Sequence, residues 1–553
     1  MAQAIEQPLN YALLAVAFAV TVFTATCCVL AYSPTPVLDS WEVLVGYNAY
    51  NFHTSIDSLV YFHNEHRPLF ARVVMLTDML HLGGKSYLTY GCIFLTQACH
   101  AFLLWTIARK QTWIERRDWA ITGALAIYCC FSPAQIENLG WPFQIAFVLP
   151  FFLGTAAICA VATQKERPAW QWGLAVIVLA SSAPLGLASG TLVWWIVVAM
   201  AVAVRLSWKW ISIYCAAALA TSYAYFHNFP KLPYHTDPLE AIRRPLEIAY
   251  YVVMYLGNSW KLWAYGASWE HWSHGVGEWL AAAALALLAF HLIRFIRARI
   301  APADSPAARG ANPWEAAVLA VMLLSTGTAS VTALGRMNFG VDQAAASRYQ
   351  TPALLFWFMA GVLVLGMLPK NVAWAKPVFA VLLLAGMLAS FQGTHLALDS
   401  SRARKAELNI AGSAWASGVE DMDAMKSVTV FNYLSLRQPY LERHLSLFSI
   451  SPFSNIGQRL DPSRIEFGNA CLGRFERDKY FSSAEFPGIR LKGWAKRSSD
   501  GEVVDQFLST TPDGRVVGVG AAGVVYAGVK NASDPVIVYG LLGHNKVCAI
   551  STQ

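Results

Sequence analysis

Long apolar segments separated by short polar ones recur along the chain from residue 11 to about residue 395, and then they stop. A helix needs about 20 mostly apolar residues to cross roughly 30 Å of hydrocarbon. By that criterion the pattern predicts about eleven transmembrane helices, near residues 11–32, 86–108, 119–133, 144–163, 170–187, 189–206, 210–227, 276–293, 314–333, 351–368 and 373–395. The predicted fold is therefore a polytopic α-helical membrane domain over residues 1–397.

The pattern changes after residue 397, where short alternating runs replace the long apolar ones. A charged helical stretch is predicted near 402–426, and the sequence SVTVFNYLSL at 427–436 is predicted to be a strand. From residue 488 onward, short apolar runs alternate with Asp and Gly turns, which is typical of β-structure. Residues 398–553 are therefore predicted to form an extramembrane α+β domain that ends in a β-sandwich or jelly roll.

Composition and charge indicate how the membrane domain is oriented. Of the 553 residues, 56% are hydrophobic and only 14% are charged, whereas charged residues make up about a quarter of an ordinary soluble domain. The formal net charge is +7, and Lys and Arg concentrate in one alternating set of short loops. Because such loops face the cytoplasm, the N-terminus is predicted to be cytoplasmic and the C-terminal domain to lie outside. The positive charge is then a topology signal and gives no indication of nucleic-acid binding.

On this topology two exported loops are long, residues 33–85 and 228–275. The exported C-terminal domain contains only two cysteines, Cys471 and Cys548, and a disulfide bond between them is predicted in an oxidising compartment. The other cysteines lie in predicted spans, where they are small apolar packing residues. No Cys or His spacing indicates a metal site. No cofactor is therefore predicted, and nothing in the sequence supports a divalent metal ion.

Ionisable side chains collect beside the predicted exported ends of the spans. Four clusters stand out: Asp39 with Glu42; Glu65 with His66 and Arg67; Glu137 with Asn138; and Arg336 with Asp342, Arg348 and Tyr349. Each residue alone has a structural explanation, because carboxylates cap helices and arginines near a span end reach toward water. Several mixed-sign clusters on one membrane face predict a shared polar cavity at the lipid boundary. In such a cavity a carboxylate can take a proton from an attacking hydroxyl, and an arginine can stabilise a phosphate leaving group.

At these residues the sequence resembles the GT-C superfamily of polytopic glycosyltransferases, in the style of aminoarabinose-lipid A transferases and protein mannosyltransferases. The resemblance is carried by DSWE at 39–42, NEHRP at 64–68, SRYQTP at 347–352 and the extramembrane C-terminal β-rich domain. It implies an inverting enzyme that moves one sugar from a polyprenyl-phosphate donor to a glycan, lipid or pilin-like protein acceptor. The reaction would occur at the periplasmic face of a bacterial inner membrane, among membrane lipids.

The resemblance also implies roles for individual residues. Asp39 takes the place of the catalytic carboxylate, with Glu42 or Glu65 as alternatives because the acidic pair is separated by two residues. The donor phosphate is predicted to bind Arg348, Tyr349, Arg67 and Arg336. The sugar and acceptor pocket is predicted to contain His66, Glu137, Asn138, Trp141, Trp263, Trp269 and Trp272. Asp57 and Asp78 are weaker candidates for the catalytic carboxylate.

Two other kinds of membrane protein fit parts of the pattern. A lipid or glycan transporter would show internal repeats and charges near the middle of its spans. No repeat is evident, although the broken apolar segment SSAPLGLASG at 181–190 keeps this alternative open. An O-antigen ligase or polymerase type of enzyme would carry its large loop between late spans, whereas the soluble mass here is at the C-terminus. A noncatalytic sugar-binding scaffold is a further alternative.

Overall fold

The computed structural model describes residues 2–230, 236, 238–261, 270–300, 312–369, 371–392, 394–466, 470–543 and 546–552. These residues form mainly α-helices, with a β-sheet near the C-terminus. The helices are α1 Ala2–Ala31, α2 Ser40–Ala49, α3 Ile56–Val60, α4 Leu69–His81, α5 Tyr87–Arg109, α6 Trp119–Phe131, α7 Ile136–Gly140, α8 Ile145–Glu166, α9 Trp170–Ser182, α10 Leu192–Ala203, α11 Trp208–Phe226, α12 Pro238–Ile242, α13 Pro245–Lys261, α14 Glu270–Ile300, α15 Pro313–Arg336, α16 Gln350–Met367, α17 Ala375–Ala389, α18 Thr394–Ser417, α19 Met422–Met425 and α20 Arg437–Glu442. The strands are β1 Ile465–Glu466, β2 Cys471–Phe481, β3 Gly488–Arg497, β4 Gln506–Thr510, β5 Val516–Ala521, β6 Val524–Ala527, β7 Ile537–Leu541 and β8 Val547–Thr552.

The chain folds into two compact units. The first comprises Met1–Cys28, Leu59–Ala71 and Tyr90–Ala397. The second comprises Val29–Ser58, Arg72–Thr89 and Leu398–Gln553. The sequence pattern assigns the whole 33–85 loop to the membrane domain. In the structure, two stretches of this loop belong to the second unit.

Seven segments of the described chain are helices long and apolar enough to cross a membrane: Glu6–Ala31, Tyr87–Arg109, Arg116–Gly140, Pro142–Glu166, Gly275–Ile300, Pro313–Phe339 and Ser347–Met367. An eighth is added if the bent pair α17 and α18 is counted as one span. The other predicted spans coincide with α9, α10, α11 and α17, which have 13, 12, 19 and 15 residues. The prediction of a polytopic helical protein is confirmed, and the predicted number of eleven spans is not.

Helix α15 is the packing centre of the first unit. The Asn312 side chain caps its N-terminus by accepting a hydrogen bond from the N–H of Trp314 at 3.0 Å, and Pro313 occupies the first helical position, where its missing N–H costs nothing. The helix packs against α8, α10, α13 and α16 through a mostly buried surface that includes Ala317, Val321 and Met322. Because α15 is held on these sides, its last residues have a fixed position.

The second unit joins α2 to the chain that precedes the sheet through an aromatic cluster. The buried ring of Trp41 lies 5.1 Å from that of Trp415 and 5.3 Å from that of Tyr433, measured between centroids. The hydroxyl of Tyr440 donates to the carbonyl oxygen of Leu44 at 2.7 Å. These contacts explain why residues 29–58 belong to this unit, since aromatic side chains bury the largest apolar areas.

The β-strands form one curled sheet in the order β1-β8-β2-β3-β6-β5-β4-β7, and the further pairing of β7 with β8 closes it. The predicted alternation of short strands and turns is confirmed, whereas a sandwich or jelly roll is not, because all described strands belong to the same sheet. Phe475 and Phe507 pack edge to face inside it at 5.0 Å. Cys471 and Cys548, with Cα atoms 5.8 Å apart, are joined by a disulfide bond between β2 and β8.

The strand predicted at 427–436 does not form. The hydroxyl of Thr429 accepts the N–H of Phe431 at 3.0 Å, and the side chain of Asn432 accepts the N–H of Leu434 at 3.1 Å. Short polar side chains of this kind offer the backbone an alternative to a strand ladder. The strand prediction is wrong because the turn-forming residues of this stretch outweigh the strand preference of its β-branched ones.

Candidate functional site

The polar segment between α3 and α4 is a tight turn. The N–H of His66 donates to the carbonyl oxygen of His63 at 2.9 Å, and the N–H of His63 donates to the carbonyl oxygen of His66 at 2.8 Å. Asn64 has a φ of 51°, in the left-handed region that asparagine tolerates better than most residues. The turn therefore carries Glu65 at its tip, with His66 beside it.

Glu65 is a buried carboxylate held by two basic side chains. Its Oε1 atom lies 2.5 Å from Nη2 of Arg336 and 3.4 Å from Nε2 of His66. The N–H of Ala188 donates to Nδ1 of His66 at 3.2 Å, so the proton of a neutral His66 ring is on Nε2, facing Glu65. Burial by itself raises the pKa of Glu65, but the charges of His66 and Arg336 outweigh burial and lower the pKa to about 2. Glu65 is therefore an ion-pair partner and a weak base.

Arg67 fastens this turn to the end of α11. Its guanidinium donates to the carbonyl oxygens of Val60 at 2.8 Å and His227 at 3.1 Å, and its Cζ lies 3.8 Å from the ring centroid of Phe62. A cation beside the free carbonyls at a helix C-terminus is favourable, as is one over an aromatic ring. The sequence predicts Arg67 as a phosphate ligand, whereas its Nη1 and Nη2 atoms donate to backbone carbonyl oxygens. Arg67 is not among the described residues that line the cavity considered next.

The side chains of Glu65, His66, Arg336, Arg348 and Tyr349 converge on one cavity within the first unit. Its volume is about 840 Å³, inside the range of about 300–1,000 Å³ that is usual for ligand sites. The remaining lining includes four phenylalanines, Phe147, Phe151, Phe226 and Phe229, together with aliphatic and hydroxyl side chains. A cavity that combines two arginines with apolar rings suits an amphipathic anion.

One face of α15 contributes three polar residues to this cavity. Thr328, Thr332 and Arg336 are four residues apart, so they lie on the same side of the helix. The hydroxyls of the two threonines donate to carbonyl oxygens one turn earlier, each at 2.8 Å. The sequence singles out Arg336 and misses the threonines, although their spacing from the arginine is a signal that identifies them.

Arg348 enters the cavity from the short turn that precedes α16. Its Cζ lies 5.6 Å from the ring centroid of Tyr349, whose ring stacks on that of Tyr255 with centroids 4.8 Å apart. In the part of the chain that the structure describes, no carboxylate oxygen lies within 4.0 Å of the Arg348 guanidinium. Arg348 is thus available to an anion, whereas Arg336 is already paired. The sequence gives no signal for Tyr255.

The backbone around Arg348 is held by the turn before α8. The fully buried side chain of Asn138 donates to the carbonyl oxygen of Arg348 at 3.2 Å and to the hydroxyl of Thr351 at 3.0 Å. The Ser347 hydroxyl donates to the Glu137 carboxylate. These two side chains therefore position the arginine.

The sequence predicts Glu137, Asn138 and Trp141 in the wall of a sugar pocket. None of the three is among the described residues that line the cavity. Trp141 is buried and packs near Phe143, with ring centroids 6.2 Å apart. Glu137 and Asn138 lie close together in sequence because they belong to one turn, and that turn holds the segment that contains Arg348.

The broken segment 181–190 also lines the cavity. Between α9 and α10 the chain forms two short 3₁₀ turns, Ala183–Leu185 and Ala188–Thr191. A Cβ atom at Gly190 would collide with the backbone of Ala183, so the close approach of the two turns requires glycine. In a membrane domain irregular backbone is tolerated where it lines a cavity. The segment between α9 and α10 is therefore part of the site. The N–H group of Ala188 in this segment donates to His66.

Asp39 and Glu42, the acidic pair of the sequence, belong to the second unit. Asp39 precedes α2 and Glu42 lies in its first turn. The hydroxyl of Tyr433 donates to Glu42 at 3.1 Å. Burial raises the pKa of Tyr433, and the negative charges of Glu42 and Asp39 raise it further. The two carboxylates thus share one tyrosine neighbour.

The remaining candidates lie elsewhere. Trp263 and Trp269 are outside the described residues, and Trp272 is in α14 with its side chain outside the described part of the chain. Asp57 is exposed in α3. The buried carboxylate of Asp78 accepts the N–H groups of two residues at the start of α5 at 2.7 Å each, which is a structural role. Across the described ranges, no group of three or more His, Cys, Asp and Glu side chains could hold a metal ion.

No family model, no curated protein and no solved structure matches this chain.

Proposed function

We propose that this chain is a glycosyltransferase of the bacterial inner membrane that moves one sugar from a polyprenyl-phosphate donor to a glycan, lipid or pilin-like protein acceptor, with inversion, at the periplasmic face. The observation that carries the proposal is the meeting of Arg336, Arg348 and Tyr349 in one cavity whose lining also includes aromatic and aliphatic side chains. Guanidinium groups bind phosphate through two parallel N–H bonds. Aromatic and aliphatic walls accommodate the first isoprene units of the carrier.

The two arginines have different starting states, and this supports a role in leaving-group stabilisation. Arg348 has no carboxylate partner among the described residues and binds the incoming phosphate first. Before the donor binds, Arg336 is paired with Glu65. Its side chain is 22% exposed, so its positive charge lies in a partly dehydrated site. Fixed cations aimed at the oxygen where charge develops lower the barrier to transfer.

In the proposed reaction the acceptor hydroxyl attacks the anomeric carbon from the side opposite the phosphate. A carboxylate takes the hydroxyl proton, the bond from the anomeric carbon to the phosphate oxygen breaks, and polyprenyl phosphate leaves with its electron pair. The resemblance implies Asp39 as this base, with Glu42 as its alternative; both belong to the second unit, and neither is among the described residues that line the cavity of the first unit. Glu65 is the weaker choice, because a carboxylate whose pKa is about 2 takes up a proton poorly at neutral pH.

The proposal includes the finer topology. The seven long apolar helices, together with α9, α10, α11 and α17, make up eleven spans at the positions that the hydrophobic pattern predicts. An odd number of spans puts the two ends of the chain on opposite sides of the membrane. The basic loops on one side support a cytoplasmic N-terminus and a periplasmic location for residues 398–553.

Sugar transfer by the purified protein tests the proposal. Wild type, Asp39→Asn and Arg348→Ala are incubated with a panel of undecaprenyl-phosphate sugars and a periplasmic glycan fraction, and the labelled sugar in the acceptor is counted. We expect transfer by wild type and at least a hundredfold loss in each variant, with the donor KM raised in Arg348→Ala.

The matched controls are Asp399→Asn and Arg402→Ala, an exposed pair at 3.1 Å in α18, and both are expected to keep full activity. Full activity in both Asp39→Asn and Arg348→Ala would show that the assignment of the site is wrong. If lipid moved across vesicle membranes while every sugar stayed on its carrier, the protein would be a transporter and not a transferase.

A further inference from the structure

A second, smaller cavity lies within the second unit and has a volume of about 250 Å³. Basic, aromatic and amide side chains line it: Lys85, Lys405, Tyr32, Tyr87, Asn409 and Gln506. Its described lining contains no Asp or Glu. The cavity therefore combines two positive charges and hydrogen-bonding groups with the apolar side chains of Pro34, Ile450, Pro452 and Phe453.

Lys85 is placed by a turn that a buried carboxylate holds in position. Gly83 and Gly84 have φ values of 75° and 65°, which glycine adopts without strain. Asp78, which is 2% exposed, accepts the N–H groups of Ser86 and Leu88 at 2.7 Å each. Because the buried side of the turn is fixed in this way, the backbone of Lys85 has a defined position at the edge of the cavity.

Helix α18 supplies a second lysine and two hydrogen-bonding groups. Lys405, Asn409 and Ser413 are four residues apart and all line the cavity, so they lie along one face of the helix. In the described structure no carboxylate oxygen lies within 4.0 Å of Nζ of Lys85 or Lys405. Both ammonium groups are therefore available to an anion.

Two tyrosines complete the cavity. The rings of Tyr32 and Tyr87 have centroids 5.3 Å apart, and the hydroxyl of Tyr32 donates to the carbonyl oxygen of Lys85 at 2.8 Å. Tyr87 is 61% exposed, and Nζ of Lys85 lies over its ring, 6.0 Å from the centroid, so a cation and an exposed aromatic ring lie side by side at the cavity. Tyrosine rings combine an apolar face with a polar edge, and amide groups such as those of Asn409 and Gln506 both donate and accept.

We propose that this cavity binds one acidic sugar unit, a ring that carries a carboxylate or phosphate, and that this unit belongs to the acceptor glycan. The lysines would pair with the acid, the tyrosine ring would cover the apolar face of the sugar, and the amides would bind its hydroxyls. A volume below the roughly 300 Å³ of the smaller ligand pockets limits the occupant to about one ring. Only the identification of the sugar as the acceptor rests on the proposed function.

Direct binding tests the cavity without the need for transfer. The full chain in phosphatidylcholine nanodiscs is titrated calorimetrically with tetragalacturonate and with the neutral maltotetraose. We expect the acidic sugar to bind at least about tenfold more tightly, and less tightly in 0.5 M salt. Replacing both lysines, Lys85→Ala with Lys405→Ala, is expected to weaken binding about tenfold, because two exposed ion pairs are lost. The charge-matched double variant Lys496→Ala with Lys530→Ala is expected to bind as wild type.

A second variant separates the ring from its hydroxyl. Tyr87→Phe is expected to bind as wild type, and Tyr87→Ala about fivefold more weakly. Equal binding of both tetrasaccharides, or unchanged binding in the Lys85 and Lys405 double variant, would overturn the proposal. So would loss of sugar binding when phosphatidylglycerol is added to the nanodiscs, because the occupant would then be a lipid headgroup. Binding that is intact in a protein that transfers no sugar would count against the proposed function and leave the cavity assignment standing.

Discussion

The ion pair between Glu65 and Arg336 offers a quantitative test of the larger cavity. The two residues are 271 positions apart in sequence, and their side chains are 11% and 22% exposed. The pKa of Glu65 is lowered from 4.5 to about 2. At 1.36 kcal/mol per pKa unit, this corresponds to about 3 kcal/mol of stabilisation of the native state. Because His66 contributes to the same shift, we assign about 2 kcal/mol to the pair with Arg336.

The assay is a double-mutant cycle with Glu65→Gln, Arg336→Gln and the combined variant, each unfolded at equilibrium in mixed detergent micelles. The coupling energy is expected to be about 2 kcal/mol at pH 7. The exposed pair Glu240 and Arg244, at 53% and 41% side-chain exposure, is the control and is expected to give less than about 0.5 kcal/mol. A coupling of Glu65 with Arg336 no larger than that of the control would refute the reasoning.

The pH dependence gives the sign of the effect. The pKa of Glu65 is depressed in the folded state, so its stabilisation is complete above the unfolded pKa of about 4.5 and disappears as the pH falls through about 2. The coupling energy should therefore be the same at pH 7 and pH 5. It should decrease below about pH 4. An energy that rises as the pH is lowered would mean that a group other than this carboxylate carries the interaction.

Three further predictions concern other parts of the chain. Replacement of Cys471 and Cys548 by serine removes a bond across 77 residues and is expected to destabilise the second unit by about 4 kcal/mol, measured calorimetrically; an unchanged Tm would contradict this. Asp421→Asn removes the charge of a fully buried carboxylate that pairs with an arginine at 2.6 Å, and is expected to cost about 3 kcal/mol in denaturant unfolding, whereas Asp423→Asn on the exposed surface should leave the free energy of unfolding unchanged. Asn138→Ala frees the backbone of the cavity arginine and is expected to raise the donor KM about tenfold in the transfer assay, and an unaltered KM would exclude this positioning role.

Local features of the fold could be predicted because they depend on short stretches of sequence. The apolar runs give the helix positions, since each run must satisfy its own backbone hydrogen bonds in lipid. The Asp and Gly turns give the strands near the C-terminus. The number of spans is harder to predict, because α9 and α10 are interrupted by the glycine-containing segment 181–190. Periodicity does not distinguish such a break from a span that ends.

Long-range pairing could not be predicted from periodicity. Trp41 packs on Trp415, across more than three hundred residues, and this contact assigns part of the first exported loop to the second unit. The sequence identifies Glu65, Arg336 and Arg348 as candidates from their charge in an apolar chain. It does not distinguish an arginine that binds backbone, such as Arg67, from one that faces a cavity. That difference depends on which carbonyl oxygens lie within reach.

The central claim is that Arg336 and Arg348 hold the phosphate of an isoprenoid carrier in the cavity of the first unit. An electron cryomicroscopy structure of the protein with undecaprenyl phosphate in nanodiscs tests it most directly. We expect density for the phosphate about 3 Å from the Arg348 guanidinium, with the isoprene chain against the phenylalanines of the cavity wall. Phosphate density at another site, with this cavity free of lipid, would contradict it.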